Sequence, residues 1–419
     1  MRILYLHQYF ATSAMDGGTR SYEFARRLVQ RGHDVQMITT DRSSESAFKG
    51  WYMTQEEGIS VHWLPVAYNN HMGFYRRIRA FLHFAFAAGK KANELKGDVV
   101  LATSPPLTIA LPSLYASKKL AIPLVFEVRD IWPRVAVALG ILKSPILIFF
   151  SKLLEKRTYD AASHIIAVSP AIRDHVSNLC PGKEISVIPN GCDMTLFESG
   201  QREPAPKSLH FLSERKLIVY FGAIGKANDT SYIVRLAQKC ARLDSSLAFL
   251  IIGNGKEETN IERLAQKLEV LNKNVFLHPA IKKQEIPSVL AMAKIAIVTL
   301  RDIEVLWTGS PNKIADALAA GIPIVTNFGG WLTQLLEKHQ AGIRLEVCDL
   351  DLAAKKLVAV LSNEEWMASS RAAAERLART LFLRENLTDE FELAITRVCA
   401  NKPTLKTIQC VETQTGKSS

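Results

Sequence analysis

The chain has 419 residues, of which 48% are hydrophobic and 22% are charged, and its formal net charge is +11. This length favours two domains of ordinary size, and this composition excludes wholesale disorder. No apolar run approaches the roughly 20 residues that a membrane-spanning helix needs, and no signal-peptide pattern precedes the first predicted strand.

Predicted strands and helices alternate from end to end of the chain. The first half has predicted strands near 2–7, 35–40, 59–64, 98–102, 123–128, 164–168 and 185–189, with helices such as 19–31 and 144–161 between them. The second half has predicted strands near 216–222, 247–252, 274–278, 295–299, 322–326 and 342–346, and a long closing helix over 366–398. Runs of Val, Ile and Leu without strict alternation are typical of strands covered on both faces. The order therefore predicts an α/β protein with doubly wound parallel sheets.

The polar segment ESGQREPAPKSLHFLSE (198–214) contains two prolines and is interpreted as a linker. It divides the chain into two Rossmann-like domains, residues 1–197 and 215–398, and residues 399–419 are expected to form a flexible tail. Such sheets bind ligands at the carboxyl ends of their strands, so we expect an interdomain cleft.

The stretch WTGSPNKIADALAAGIPIV (307–325) predicts an anion site at the start of a helix. Ser310 suits the helix N-cap, and Pro311 suits the first helical position. Free amides at a helix start bind anions and Lys313 adds a positive charge, so a phosphate or diphosphate is predicted over residues 309–313. Asp316 lies one turn further, where it could accept hydrogen bonds from a ribose. The alternative is an ordinary helix with a Lys–Asp surface pair.

Three other glycine-containing loops follow predicted strands. Their candidate ligand residues are Gly17 and Gly18 after the first strand, Gly225 and Lys226 in FGAIGKAND, and Gly253 and Asn254 in IIGNGKE. None matches the GxGxxG pattern of dinucleotide-binding proteins. Together with the 309–313 stretch they favour a bound nucleotide.

A charged cluster and several histidines remain. VFEVRDIWPR places Arg129 and Asp130 at a strand end, where they predict contacts to an acceptor or a donor sugar; the alternative is an Arg–Asp pair that holds a loop. Structural roles are the default interpretation for the strand-associated histidines, which are His7, His33, His62 and His164.

A basic, aromatic stretch lies in the first half. Between Gly58 and Asn93 there is no Asp or Glu, and the cations there are Arg76, Arg77, Arg79, Lys90 and Lys91. Basic residues around an aromatic amphipathic segment suit an anionic membrane surface. A solvated helix packed on its own domain is the alternative. No nucleic-acid-binding pattern accompanies the charge.

The ordered segments GGTRSYEFARRLVQRGHDV (17–35), AVSPAI with ISVIPNGCDMTLF (167–197), IIGNGKE and SPNKIADALAAGIPIV resemble the family 4 retaining glycosyltransferases of GT-B architecture. FEVRDIWPR and SPNKI resemble the bacterial surface-polysaccharide branch, especially the L-fucosamine transferases of O-antigen assembly. The resemblance implies a UDP-sugar donor held mainly by the C-terminal domain. It also implies a polyprenyl-diphosphate-linked saccharide acceptor, which the N-terminal domain would hold.

The resemblance also implies roles for individual residues. The donor would be held by Gly17, Gly18 and Arg20, and by Trp307, Thr308, Gly309, Ser310, Pro311, Asn312 and Lys313, while Asp316 takes the place of the ribose-binding second glutamate of the E-x7-E motif. Thr308 stands where the first glutamate contacts the donor sugar, so we expect an acetamido or deoxy sugar such as N-acetylfucosamine. The catalytic-loop histidine of the family is absent, and Arg129 and Asp130 occupy that region.

A retaining transfer of this kind needs no metal, because the helix start and Lys313 stabilise the departing UDP. We expect no cofactor and a cytoplasmic protein, peripheral on the inner face of the cytoplasmic membrane. Two alternatives stay open: a non-hydrolysing UDP-sugar epimerase and an inactive nucleotide-sugar-binding protein.

Overall fold

The computed structural model describes residues 1–15, 17–42, 48–66, 72–200 and 203–400, apart from the side chains of residues 74 and 75. The predicted tail 399–419 therefore lies almost wholly outside the described residues. In the described ranges, no helix combines the length and the apolarity needed to cross a bilayer.

Eight strands of the described residues form the first sheet: β1 Arg2–Leu6, β2 Asp34–Asp41, β3 Tyr52–Glu56, β4 Ile59–Pro65, β5 Val99–Thr103, β6 Leu124–Val128, β7 His164–Ala167 and β8 Ile185–Val187. Their order is β3-β4-β2-β1-β5-β6-β7-β8. Neighbouring strands are parallel except for β3 and β4. The edge strand β3 was missing from the sequence prediction, because its half-exposed residues YMTQE lack an apolar run.

Six strands form the second sheet within the described part of the chain: β9 Lys216–Phe221, β10 Leu247–Ile252, β11 Val275–His278, β12 Ala293–Val298, β13 Ile324–Thr326 and β14 Gly342–Arg344. They run parallel in the order β11-β10-β9-β12-β13-β14. All six residues of β10 are buried, as expected for a strand covered on both faces.

Helices cover both faces of each sheet. The α-helices are α1 Arg20–Gln30, α2 Phe74–Leu95, α3 Ala110–Leu120, α4 Arg134–Ala138, α5 Pro145–Ala161, α6 Pro170–Leu179, α7 Met194–Gly200, α8 Thr230–Cys240, α9 Glu258–Lys267, α10 Ile286–Met292, α11 Asn312–Ala319, α12 Trp331–Lys338, α13 Leu350–Ser362, α14 Glu364–Leu381 and α15 Arg384–Ala400. Short 3-10 helices span Leu107–Ile109, Lys207–Leu212, Lys283–Glu285 and Glu304–Thr308. The predicted architecture of two Rossmann-like domains is confirmed.

The strand orders locate the place where a ligand binds. In the first sheet β1 lies between β2 and β5, and in the second β9 lies between β10 and β12. In each sheet the chain leaves the central strand toward one neighbour, β2 or β10, and later returns to the strand on the other side, β5 or β12; this reversal opens a crevice at the carboxyl ends of the strands. Gly17 and Gly18 follow β1, and the 309–313 stretch follows β12, so both belong to these crevices.

The last helix returns to the first domain. The sequence predicts one helix over 366–398, but the structure has α14 and then α15, with a break at Phe382 and Leu383. Phe391 of α15 stacks on Phe24 of α1 at 4.2 Å, and its apolar residues join the core of the first sheet. The division at 398 grouped this helix with the second domain, whereas its packing belongs to the first. The sequence pattern shows that α15 has an apolar face but not which sheet it covers.

The predicted linker is partly core. Leu209 and Leu212, on a 3-10 helix within 198–214, are buried in the second domain, as is Phe197 just before it. The chain crosses between the domains near Cys192, whose amide donates to the carbonyl of Phe382 at 2.8 Å. The chain returns to the first domain near Phe382, between α14 and α15, so its two crossings between the domains lie side by side.

Candidate functional site

The start of α11 is the centre of the candidate site. The helix begins at Asn312 with Pro311 in the N-cap position and no side-chain cap. The prediction that Ser310 caps the helix is wrong, because its hydroxyl instead accepts a hydrogen bond from the amide of Asn190 at 3.1 Å. An uncapped helix start leaves its first amides without intrahelical acceptors. A bound anion would satisfy these amides and the dipole together.

Lys313 stands on the first turn of α11, is half-buried, and has no carboxylate partner among the described residues. Its Nζ lies 4.0 Å from the centroid of the Tyr220 ring, and a Cβ on Gly222 would lie 3.2 Å from the same atom. Burial lowers the pKa of Lys313 to about 7, and in the described part of the chain no charged group adds to or opposes this shift. An anionic ligand beside this amine would raise its pKa again and pair with its ammonium form.

The first domain meets this helix through the loop after β1. A Cβ on Gly18 would lie 3.5 Å from an Arg129 guanidinium nitrogen and 3.8 Å from Asn312 Nδ2. A Cβ on Gly309 would lie 4.0 Å from Asp130 Oδ1. The fold thus brings together Gly18, Arg129 and Asp130 of the first domain with residues 309–313 of the second. Burial raises the pKa of Asp130, and Arg129 partly opposes that rise.

Asp316 has a different environment from the one the sequence suggested. Its side chain is buried and forms an ion pair with Lys283, on the 3-10 helix before α10. The alternative of a Lys313–Asp316 surface pair does not hold, since the partner of Asp316 is Lys283. Asp316 and Lys313 share a helix, so a ligand at the start of α11 is one turn away from the carboxylate.

Arg20 is a framework residue, and the prediction that it contacts the donor is wrong. Its Nε donates to Glu127 Oε1 at 2.8 Å, and its terminal nitrogens donate to the carbonyls of Pro189 and Ile188 at 2.6 and 2.8 Å. The side chain is 2% exposed. A guanidinium whose donors are consumed inside the protein has none left for a phosphate. Glu127, also completely buried, accepts a second bond from Thr103 Oγ1 at 2.5 Å.

The glycine loops of the second domain are packed against each other. A Cβ on Gly253 would lie 1.9 Å from the carbonyl oxygen of Gly222, and the Ile224 amide donates to the Asn254 carbonyl at 2.9 Å. Asn254 Oδ1 accepts from the amide of Ala280 at 3.1 Å. The close approach of the Gly222 backbone therefore explains why residue 253 is a glycine. The side-chain oxygen of Asn254 is already used in a hydrogen bond within the protein. In the same loop region, Gly225 is half-buried and Lys226 is exposed.

The residues before Gly309 are held by the second domain and by α6. Trp307 packs on Gly329 and Gly330 and donates from Nε1 to the carbonyl of Arg301 at 3.2 Å. The Thr308 hydroxyl donates to the carbonyl of Val305 at 2.8 Å. The Thr308 carbonyl accepts from Ser169 Oγ of the first domain at 2.6 Å. These contacts fix the approach to the site rather than offering free groups to a ligand.

One contact between the domains was missed by sequence reasoning. Asn190 ties the domains together, with its amide and its side-chain Nδ2 both donating to Ser310.

His7, at the end of β1, is buried, and its Nδ1 has no hydrogen-bond partner in the described structure. Burial holds the pKa of His7 well below its usual value, and Arg129 and Arg42 lower it further. The other three strand-associated histidines have side-chain partners, as expected: His33 with Glu392, His62 with Gln36 and His164 with Ser186.

The predicted membrane-contact residues lie on α2. Arg76, Arg79 and Lys90 are exposed, and Arg77 and Lys91 are half-buried. The opposite face of the helix, with Phe84, Ala88 and Ala92, packs in the first core. The helix is therefore packed on its own domain and presents its cations outward. This arrangement is compatible both with contact to an anionic membrane and with a solvated helix.

Solved structures share this fold. The sucrose-phosphate synthase of Thermosynechococcus elongatus matches with a TM-score of 0.75 and 14% identity, over 95% of this chain and 99% of that one. Anabaena HepE, solved in complex with UDP and glucose, matches with a TM-score of 0.69 and 16% identity, over 95% of this chain and 100% of that one. At these identities the likeness establishes the GT-B fold alone.

Sequence comparison gives the family. Residues 17–196 match the model described as Glycosyltransferase Family 4, and residues 201–379 match the one described as Glycosyl transferases group 1. The two matches together span most of the chain, which therefore belongs to the GT-B glycosyltransferases.

Curated relatives match at low identity. The "Putative colanic acid biosynthesis glycosyl transferase WcaI" of Escherichia coli is 20% identical over 89% of this chain and 94% of its own length. The N-acetyl-alpha-D-glucosaminyl L-malate synthase of Bacillus anthracis is 21% identical over 54% of this chain, and the match spans 58% of that relative. The "Probable glycosyltransferase WbjE" of Pseudomonas aeruginosa is 22% identical over 65% of this chain and 72% of its own.

Proposed function

We propose that this glycosyltransferase moves a sugar from a UDP-sugar to a lipid-linked saccharide, with retention of configuration, during assembly of a surface polysaccharide such as an O-antigen. The observation that carries the proposal is Lys313, a half-buried lysine at the uncapped start of α11 that has no carboxylate partner among the described residues. A diphosphate there would accept hydrogen bonds from the helix amides, from the Lys313 ammonium and, in the first domain, from Arg129. HepE, of the same fold, has been solved with UDP and with UDP-glucose, which supports a nucleotide-sugar donor.

The transfer requires stabilisation of a leaving group. As the bond between the anomeric carbon and the β-phosphate oxygen breaks, negative charge collects on UDP. In the proposal, Lys313 and the start of α11 would lie beside that charge before the bond breaks, so little reorganisation would be needed. This positive environment is the reason for proposing a transfer that does not depend on a metal ion.

Retention follows if the acceptor attacks from the side that UDP leaves. The acceptor hydroxyl oxygen bonds to the anomeric carbon, and its proton passes to the departing β-phosphate oxygen. No enzymic nucleophile is then needed. In this scheme Asp130, next to Gly309 and Arg129, would orient the acceptor hydroxyl.

Two further residues shape donor choice in the proposal. Asp316 would hold the ribose by exchanging its bond to Lys283 for bonds from the ribose hydroxyls. Thr308 offers no carboxylate to sugar hydroxyls, and its own hydroxyl is already bonded to Val305. A donor with fewer hydroxyls, such as an acetamido-deoxy sugar like N-acetylfucosamine, suits this position. The acceptor we propose is a polyprenyl-diphosphate-linked saccharide at the inner face of the cytoplasmic membrane.

The test is UDP release from a panel of UDP-sugars, with and without a lipid-linked acceptor and with EDTA in a parallel series. Wild type should release UDP from one acetamido-sugar donor, and EDTA should leave the rate within about twofold. Lys313→Met and Asp316→Asn should each lose at least about tenfold in rate, whereas Lys338→Met, an exposed lysine at the end of α12, should not.

Other outcomes separate the alternatives. Tight UDP binding without release from any donor would indicate an inactive binding protein. Interconversion of two UDP-sugars without an acceptor would indicate an epimerase. Proton NMR of the anomeric centre in the product should show retention, and an inverted configuration would overturn the retaining mechanism.

A further inference from the structure

Helix α5 carries an apolar stripe on its outer side. Ile146, Phe149, Phe150 and Leu153 have the i, i+3, i+4, i+7 spacing of a helix face, and they are 68, 64, 57 and 37% exposed. A stripe with this spacing ordinarily faces a protein core. Here it faces away from the domain, so the burial it is suited to must come from another body.

The inner side of α5 is fixed by its own contacts. Glu155, Thr158 and Tyr159 are buried, and Glu155 Oε1 lies 2.8 Å from His175 Nε2 of α6. The Tyr159 ring packs against Phe126 of β6 at 6.3 Å. Rotation of the helix to bury its stripe would break these contacts, and the stripe is therefore a stable surface feature.

The stripe continues onto neighbouring helices. Helix α3 contacts both α2 and α5, and a Cβ on Gly89 of α2 would lie 3.0 Å from Tyr115 of α3. Exposed apolar side chains on these helices extend the surface. We call it the apolar face: Leu82 and Phe86 of α2, Leu111 and Tyr115 of α3, and Ile146, Phe149, Phe150 and Leu153 of α5.

The charge around the apolar face is mainly positive. No Asp or Glu occurs in 99–126 or in 131–154, the segments that contain α3, α4 and most of α5. Exposed cations in these segments are Lys118, Lys119, Arg134, Lys143 and Lys152, next to the exposed Arg76, Arg79 and Lys90 of α2. An apolar centre with cations around it and few acids complements an anionic lipid surface.

We propose that the apolar face docks on an anionic lipid bilayer, with Phe149 and Phe150 inserted among the lipids. Helix α4, which precedes α5, contacts the 3-10 helix Glu304–Thr308 that leads to Gly309. The docked surface would thus adjoin the cleft and set its distance from the membrane. This inference rests on the lipid-linked acceptor of the proposed function, yet its test requires no turnover.

The test is flotation with vesicles of phosphatidylglycerol and phosphatidylcholine, compared with phosphatidylcholine alone. Wild type should bind the anionic vesicles and release from them as salt is raised. Phe149→Ser with Phe150→Ser should reduce the partition coefficient at least about tenfold. The matched control is Phe211→Ser, an equally exposed phenylalanine of the second domain, which should bind like wild type.

Two further measurements keep the proposal falsifiable. Phe149→Trp should be quenched by brominated lipid in anionic vesicles and Phe211→Trp should not, so absence of quenching overturns the insertion. Unchanged vesicle binding by the double serine variant also overturns it. Sedimentation velocity tests a dimer as the alternative. If wild type is a dimer and the double serine variant is a monomer that still binds vesicles, the lipid proposal is overturned. UDP affinity, measured separately, reports on the donor site, so failure of one idea leaves the other testable.

Discussion

Lys313 should take up a proton when UDP binds. Burial lowers its pKa to about 7 in the free protein, so at pH 8 about nine-tenths of the molecules carry a neutral amine. A diphosphate beside the amine favours the charged form and raises the pKa again. Binding should therefore be accompanied by an uptake of about 0.9 proton at pH 8 and about 0.1 proton at pH 6.

The same linkage sets the pH dependence of affinity. If the bound form requires the ammonium, the association constant falls by about fivefold between pH 7 and pH 8 and by about tenfold per unit above that. Affinity falls as the pH rises because the pKa of Lys313 is lowered in the free protein, which must then gain a proton in order to bind UDP. Lys313→Met should weaken UDP binding by about 1.5–3 kcal/mol, or about 10- to 150-fold, below pH 7, where the lysine is charged.

The assay is titration calorimetry at pH 8 in two buffers of different ionisation enthalpy. UDP has already lost its last phosphate proton at this pH, so proton uptake reports on the protein. Wild type and Lys338→Met should show the uptake, and Lys313→Met should show none. Equal uptake in wild type and Lys313→Met, or affinity independent of pH in both, would refute the reasoning.

Two other predictions concern the framework of the site. Arg20→Met should lower the free energy of unfolding by about 3–5 kcal/mol in urea denaturation, because Glu127 would remain buried without its partner; normal stability with lost UDP affinity would contradict the framework role. Gly253→Ala should cost about 1–3 kcal/mol and lower the melting temperature, because its Cβ would lie 1.9 Å from the Gly222 carbonyl oxygen. The control is Gly50→Ala, whose Cβ has no atom within 4 Å, and equal melting temperatures for the two variants would be inconsistent with this packing.

Local pattern was sufficient for the sheets and for part of the site. Strands such as β5 and β10 are continuous apolar runs, and a strand buried on both faces needs such a run wherever the sheet lies. The start of α11 was placed within two residues, because proline and serine mark helix starts regardless of tertiary context. The cap itself was assigned wrongly, since Asn190 of the other domain competes for Ser310.

Residue roles depended on partners far away in sequence. Arg20 follows two glycines and looks available to a phosphate, but Glu127, 107 residues away, occupies it. Asp316 looks like the partner of Lys313 on a short helix, yet Lys283 of another loop is its partner. No spacing rule within a helix carries information about such contacts.

The sequence by itself determined the two-domain architecture, the position of Lys313 at a helix start and the absence of acidic residues between Gly58 and Asn93. These properties follow from periodicity, propensity and composition, which act over a few residues. Tertiary structure alone decided that α15 covers the first sheet and that the stripe of α5 faces outward. An apolar helix face specifies that it will be buried, but the partner that buries it is selected by the competition among all the surfaces of the folded chain.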